Sequence, residues 1–292
     1  MRINNLFNEK KVVFSLEVFP PKTTSSIETI YKMLEELKGI NPDYISVTYG
    51  AGGAATSNRT LEIASLIKNK YKVEPMAHLT CIDAKKDEIE KILIDLKNEG
   101  IENILALRGD GNPSIVNKSN DFKYASNLID FIKKREDFNL CGACYPEGHI
   151  ECRDLDVDIE NLKKKQEAGV NHFITQLFLD NEFFYDFMDK AEGKGITAPI
   201  QAGIMPVINK KQIERITSLC GAKVPRKFMK IIERYENDPI ALRDAGIAYA
   251  VEQIVDLISS DVRGIHLYSM NNPYVAKSIN NSIESILKSL NK

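Results

Sequence analysis

The 292-residue sequence has no excess of either charge: 39 lysines and arginines face 41 aspartates and glutamates, a formal net charge of -2. A chain that grips nucleic acid ordinarily carries a basic surplus, so that class is disfavoured. No apolar run approaches the length of a bilayer span, which argues against a membrane protein. The first residues, MRINNLFNEKKVVFSLEVFPP, carry Glu17 inside their apolar stretch and lack a small-residue cleavage site, so they make a poor signal peptide. Five cysteines spread through a long chain do not form a disulfide framework, and a reducing cytoplasm is the expected setting. Gly/Ser linkers, low-complexity tracts and long-period repeats are missing too, so residues 1–292 are expected to form a single domain.

What is present is alternation. Strand-like apolar runs occur at 12–19, 44–50, 73–81, 103–110, 140–147, 172–179, 199–207 and 264–270. Between them lie amphipathic stretches such as SIETIYKMLEELK, TLEIASLIKNKY, KDEIEKILIDLKNEG and DIENLKKKQEAG, the last two ending in glycine, a common helix stop. The first seven strands recur at intervals of about thirty residues, as repeated βα units do. Eight strands with intervening helices predict an α/β fold, a single (β/α)8 TIM barrel. An extra basic segment, AKVPRKFMKIIERYE, precedes a helix over 238–258 and lengthens the interval before the last strand.

Side chains alternate across a strand, which predicts the inward-facing positions. In the first strand Val12, Phe14, Leu16 and Val18 form an apolar face for the helices, leaving Ser15 and Glu17 inside. The same reasoning places His78 inward with Met76 and Thr80, and also Gln176 and Tyr268. In the fourth strand it assigns Leu105 and Leu107 to the helices and Arg108 and Asp110 to the interior. Most of these polar residues stand near the C-terminal ends of their strands, where barrel active sites are built.

Two motifs mislead. CGACYPEGHIEC (141–152) has nearly the spacing of a zinc knuckle. Cys141 and Cys144, three apart on one strand, leave on opposite faces and cannot share one tetrahedral metal without a turn between them. No metal site is expected, and YPEGH is read as the functional end of a fifth strand. GAGGAA (50–55) fits a dinucleotide fingerprint, but the acidic residue such a unit requires at the end of the next strand is absent; Glu74 falls at its start. It reads as a barrel loop, with Thr56 or Ser57 capping the helix that follows.

Together SLEVFPPK, SVTYGAGG, AHLTCID, ALRGD, YPEGH, ITQLFLD and HLYSMNNP, in this order and spacing, resemble the methylenetetrahydrofolate reductase family over essentially the whole chain. The resemblance implies a cytoplasmic FAD-dependent barrel oxidoreductase of one-carbon metabolism and methionine biosynthesis. Such an enzyme converts 5,10-methylenetetrahydrofolate to 5-methyltetrahydrofolate by ping-pong hydride transfer. NADH or NADPH reduces the flavin and leaves, and folate then takes its place. Opening the folate's five-membered ring requires a proton on the departing nitrogen, hence a general acid. Glu17 matches that acid, and a carboxyl desolvated beneath a flavin and a pterin is expected to hold its proton near neutrality. Asp110, Gln176 and Tyr268 match the substrate contacts. Thr48, His78, Arg108, Gly109, Asp110, Tyr124, Ala125, Tyr145, His149, Cys152, Asp158 and Lys165 match the FAD positions.

There are departures. Asn272 stands where the family commonly has an arginine for the folate tail, which leaves Lys277 or Arg226 as substitutes; a neutral amide cannot form the two-pronged ion pair. Lys164 replaces a frequent arginine, and Cys152 a small residue. The resemblance also implies self-association into a homo-oligomer and, in some relatives, an iron–sulfur electron-transfer subunit. The length matches the catalytic barrel without the eukaryotic regulatory domain. Two other readings are a proline-dehydrogenase-like flavin barrel and a non-catalytic barrel subunit. The intact Glu17, Asp110 and Gln176 argue against the second.

Overall fold

Valine, isoleucine and phenylalanine crowd the short apolar runs, and branched and aromatic side chains suit a pleated surface. In the computed structural model these runs form β1 (Val13–Val18), β2 (Tyr44–Val47), β3 (Glu74–Thr80), β4 (Asn103–Leu107), β5 (Asn139–Cys144), β6 (His172–Thr175), β7 (Ile200–Ile204) and β8 (Gly264–Leu267). All pair in parallel in chain order, and β8 closes on β1, giving the (β/α)8 barrel. The structure describes residues 1–21, 26–49, 54–110, 119–152 and 154–292.

Helices α2 (Glu28–Glu36), α3 (Ala54–Asn69), α4 (Lys86–Asn98), α5 (Ala125–Lys133), α6 (Leu155–Glu167) and α7 (Asn181–Gly193) follow β1 to β6 in turn, behind a short α1 (Leu6–Glu9). The long interval before β8 holds α8 (Lys210–Cys220), α9 (Arg226–Tyr235) and α10 (Pro239–Ser259), and α11 (Pro273–Leu290) follows β8. The basic segment is thus α9, packed through Phe228 and Ile232. The helix expected near 238–258 is α10, where the Asp238 carboxylate accepts from the Ile240 and Ala241 amides, both at 3.0 Å. Among the described residues no helix is long and apolar enough to cross a membrane.

Two apolar layers hold the barrel. Val12, Phe14, Leu16 and Val18 lie in the outer layer beneath the helices, as alternation requires. Inside, Val13, Tyr44, Met76, Leu105, Cys141 and Ile174 pack with Ile3, Leu6 and Phe7. Those last three come from the N-terminal 3-10 turn (Ile3–Asn5) and α1, which fill the end of the barrel away from the strand C-termini. Cys141 belongs to the inner layer and Cys144 to the outer, so the two thiols leave opposite faces of β5.

Three expectations need correction. Leu105 and Leu107 pack in the interior, whereas Ile104 and Ala106 meet the helices. β4 ends at Leu107, so Arg108 and Asp110 lie in the loop beyond it, where alternation no longer assigns faces. Gly109 there has φ +82, and a Cβ on it would stand 2.9 Å from Thr80 Cβ. Third, α3 begins at Ala54, so Thr56 and Ser57 lie within the helix, not ahead of it. The glycines of GAGGAA fall on 50–53, outside the described residues.

Candidate active site

Parallel register fixes the floor of the barrel mouth. Glu17 of β1 stands opposite Ser46 of β2, and Ser15 stands opposite His266 of β8. Glu17 therefore points inward, with its side chain 17% exposed. Its Oε2 lies 3.6 Å from Nε2 of His78 and 3.9 Å from Nε2 of His266. These are contacts between a carboxyl and two imidazoles just beyond hydrogen-bonding range. Burial holds His78 neutral, its pKa lowered to about 4, with Glu17 partly opposing the shift. Its Nε2 is enclosed and has no hydrogen-bond partner among the described residues.

Tyr268 follows His266 on the same wall. Its ring meets the His266 ring edge-on at 5.1 Å, and its hydroxyl donates to the Thr175 carbonyl at 2.8 Å. Gly203 of β7 makes this possible, because a Cβ there would come within 2.7 Å of the Tyr268 ring. Gln176 sits one residue past β6, its backbone amide donating to the Cys144 carbonyl at 2.7 Å. Its side-chain Oε1 accepts from Leu177 N at 2.9 Å. Thr48, just past β2, donates its amide to the Val18 carbonyl at 3.0 Å.

A second group gathers after β4 and β5. Arg108 makes a two-pronged pair with Glu151, one prong at 2.8 Å, and Asp110 is exposed nearby. Tyr145 packs edge-on against His149 at 4.7 Å, and burial raises its hydroxyl pKa. Gly148 has φ +83 in the turn between them, where its amide donates to the Tyr145 carbonyl. On α6, Asp158 Oδ2 accepts from His149 N at 3.1 Å, and burial raises its carboxyl pKa while Lys165 opposes. Lys165 is not part of a solvated lysine face. Its Nζ donates to the Ala143 carbonyl at 2.7 Å, 5.9 Å from the Tyr145 ring centre, and burial lowers its pKa. Cys152 is half-buried, its thiol donating to the Asp154 carbonyl at 3.3 Å. Tyr124 and Ala125 open α5, with Tyr124 52% exposed and its amide donating to Asn127 Oδ1 at 2.9 Å.

The sequence-derived site residues thus fall into two sets: Glu17, Thr48, His78, Gln176 and Tyr268, in or just past the C-terminal halves of their strands, and a group that runs from the end of β4 to α6. Asn272 serves the fold, since its Oδ1 accepts from Val275 N at 3.3 Å and caps α11. Arg226 and Lys277 are exposed and form no ion pair among the described residues. His266 escapes the sequence reading, although alternation back from Tyr268 points to it.

A family model described as methylenetetrahydrofolate reductase matches residues 2–284. The chain belongs to that family. The 5,10-methylenetetrahydrofolate reductase of Pectobacterium carotovorum is 34% identical over 266 residues, which cover 89% of this chain and 86% of that one. The Escherichia coli enzyme of the same name is 35% identical over 257 residues, covering 88% and 86%. Methylenetetrahydrofolate reductase (NADH) 1 of Arabidopsis thaliana is 33% identical over 284 residues, covering 92% of this chain, which spans only 48% of that longer protein. Membership makes the chain an oxidoreductase acting on methylenetetrahydrofolate. Among solved structures, an uncharacterised Clostridium thermocellum protein that binds two copies of 5-methyl-5,6,7,8-tetrahydrofolic acid superposes with a TM-score of 0.64 at 16% identity, covering 99% of this chain and all of that one. At that identity the likeness supports the fold alone.

Proposed function

We propose that residues 1–292 form one catalytic domain that reduces 5,10-methylenetetrahydrofolate to 5-methyltetrahydrofolate through FAD, with Glu17 as the proton donor. The observation that carries this reading is the placement of Glu17: a lone, mostly shielded carboxyl at the barrel mouth, flanked by imidazoles at 3.6 and 3.9 Å and free of any lysine or arginine pair among the described residues. An unpaired acid at the end of a barrel strand suits proton transfer better than structural support.

The residues present also fit a flavin. His78 offers an enclosed, unpartnered ring nitrogen, Lys165 and Arg108 offer positive charge, and Asp158 offers an acceptor for sugar or ribityl hydroxyls. Thr48, Gly109, Tyr124, Ala125, Tyr145, His149 and Cys152 would complete the surround. When bound, FAD supplies a ring that takes hydride from a reduced nicotinamide and gives it up to the folate.

The chain's own residues do the rest. Glu17 protonates the departing ring nitrogen, and that opening exposes the carbon that receives hydride. Asp110 places negative charge near the cationic carbon–nitrogen unit formed on the substrate. Gln176 holds its side-chain carbonyl on Leu177 N; released, the amide can both give and accept hydrogen bonds, which suits two unlike guests taking turns in one pocket. Tyr268, its hydroxyl held on Thr175, would lend its ring as a further contact for the substrate.

The test is an anaerobic visible spectrum. The purified protein should be yellow, bleached by NADH, NADPH or dithionite, and restored by methylenetetrahydrofolate. Bleaching by dithionite but by neither nicotinamide would put an iron–sulfur subunit upstream, and a yellow protein that oxidises proline and ignores folate would overturn the reading. Glu17→Gln should keep flavin and its reduction while slowing the folate half-reaction by about 10²–10⁴-fold. Undiminished folate turnover in that variant would remove the acid assignment.

A further inference from the structure

Below Glu17 the barrel interior holds a chain of polar groups that the proposed reaction does not use. Ser15, Tyr44, Gln201 and His266 are each 0% exposed, so their polar atoms rely on one another and on the backbone. The Tyr44 hydroxyl donates to Gln201 Oε1. Gln201 Nε2, which can only donate, reaches Ser15 Oγ at 3.3 Å. Ser15 therefore accepts from below and has one proton to give. The nearest acceptor is His266 Nδ1 at 2.7 Å; the alternatives are the Ile265 carbonyl at 3.4 Å and the Tyr44 hydroxyl oxygen, which also lies against Ser15. Donation along the 2.7 Å contact makes Nδ1 the acceptor and leaves the ring proton on Nε2.

That nitrogen faces upward. Ser46 Oγ lies 3.4 Å from it and Glu17 Oε2 3.9 Å. A carboxyl swing of about 1 Å brings the second contact into hydrogen-bond range. Among the described residues, the titratable groups that face Glu17 are His78 from β3, His266 from β8 and Tyr268 just past it. Tyr268 has committed its hydroxyl to Thr175, and His78 is 6% exposed with its Nε2 unpartnered. The opposite His266 tautomer would aim a lone pair at Oε2, and a protonated Glu17 would then donate downward into the barrel, away from substrate.

We propose that His266 is a positioning residue for Glu17: a tautomer set by Ser15, Gln201 and Tyr44 presents Nε2–H to Oε2 and leaves Oε1 to carry the transferred proton. This deepens the reading of Glu17 as acid and rests on it.

The chain has four histidines, so ¹⁵N-histidine NMR of the ligand-free protein can assign each one by a His→Gln variant. His266 should show a bare Nδ1 and a protonated Nε2, and Ser15→Ala should abolish that preference while Ser15→Thr, which keeps the hydroxyl, retains it. In stopped-flow experiments on the flavin-loaded protein, Ser15→Ala should slow the folate half-reaction at least tenfold more than flavin reduction. It should also move the alkaline limb of the folate half-reaction upward by about half a pH unit, because a donor to the carboxylate is lost. If Ser15→Ala does not fold, Gln201→Met removes the next link and should act in the same direction. An Nδ1–H tautomer in the unaltered protein, or a folate half-reaction whose pH profile ignores both variants, would overturn the proposal. Glu17→Gln run alongside separates the two failures: full folate turnover there sinks the acid, whereas its loss with indifferent Ser15 and Gln201 variants sinks only the positioning role.

Discussion

At the scale of single residues, Lys165 separates a binding role from a merely structural one most cleanly. Three consecutive lysines on a helix ordinarily read as a solvated face. Lys164 stays exposed, but Lys165 turns inward to the Ala143 carbonyl, and burial lowers its pKa. A backbone carbonyl alone is a modest reason to enclose an ammonium, whereas an electron-rich or anionic guest is a good one. Lys165→Met keeps the aliphatic stem and removes the charge. It should weaken flavin binding by about tenfold to a hundredfold, the equivalent of one charge-assisted hydrogen bond. Fluorescence titration of the flavin-free protein measures this, and an unchanged Kd would confine Lys165 to holding α6 against β5. Glu17 and His78 are legible in the sequence because they lie inside strands, where period two assigns faces. Leu105 and Leu107 are not, because an alternation counted back from Arg108 starts beyond the strand end.

At the scale of elements, strands and major helices are readable because each is a periodic run bounded by glycine, proline or a capping side chain. The N-terminal plug is not. Residues 3–9 are too few to display a period, and their apolar members look like any short approach to a first strand. Their role emerges only when Ile3, Leu6 and Phe7 are found packed against Val13, Tyr44 and Met76 inside the barrel, with the Phe7 ring 5.2 Å from His172. Phe7→Ala should therefore cost about 3–5 kcal/mol, the usual range for emptying a buried aromatic site. Urea denaturation measures it, and because the plug lies at the end remote from Glu17, the folate half-reaction should survive at low denaturant. A loss below about 1 kcal/mol would mean that the plug is loosely held. At the other end, Asn272 exemplifies a residue whose role the resemblance alone could not supply: in place of a cation for the folate tail it caps α11. Asn272→Ala should cost about 1 kcal/mol, read as a fall in Tm of a few degrees.

At the scale of the whole molecule, a closed barrel that carries ionisable groups along its axis becomes vulnerable to acid. His172 is 0% exposed, neither of its ring nitrogens has a partner among the described residues, and burial, with His266 adding to it, lowers its pKa to about 3. His78 is lowered to about 4, chiefly by burial. In the unfolded chain both titrate near about 6.5. Between that value and the folded ones, the unfolded state binds protons that the folded state refuses. Stability is thus complete above about pH 6.5 and drains away on acidification, by about 1.4 kcal/mol per pH unit for each histidine, until each folded pKa is passed. His172 contributes to this without taking part in the proposed chemistry, so it can be removed alone. His172→Leu should flatten the acid side of the stability curve and lose about 2 kcal/mol less than the unaltered protein between pH 7 and pH 5, as measured by urea denaturation. Identical losses in the two proteins would mean that the native barrel admits a proton at His172, and the floor beneath Glu17 would then be wet rather than dry. That outcome bears on the tautomer of His266, because the orientation of each fixed donor decides which oxygen of Glu17 is left for the substrate only where water does not relay protons beneath it.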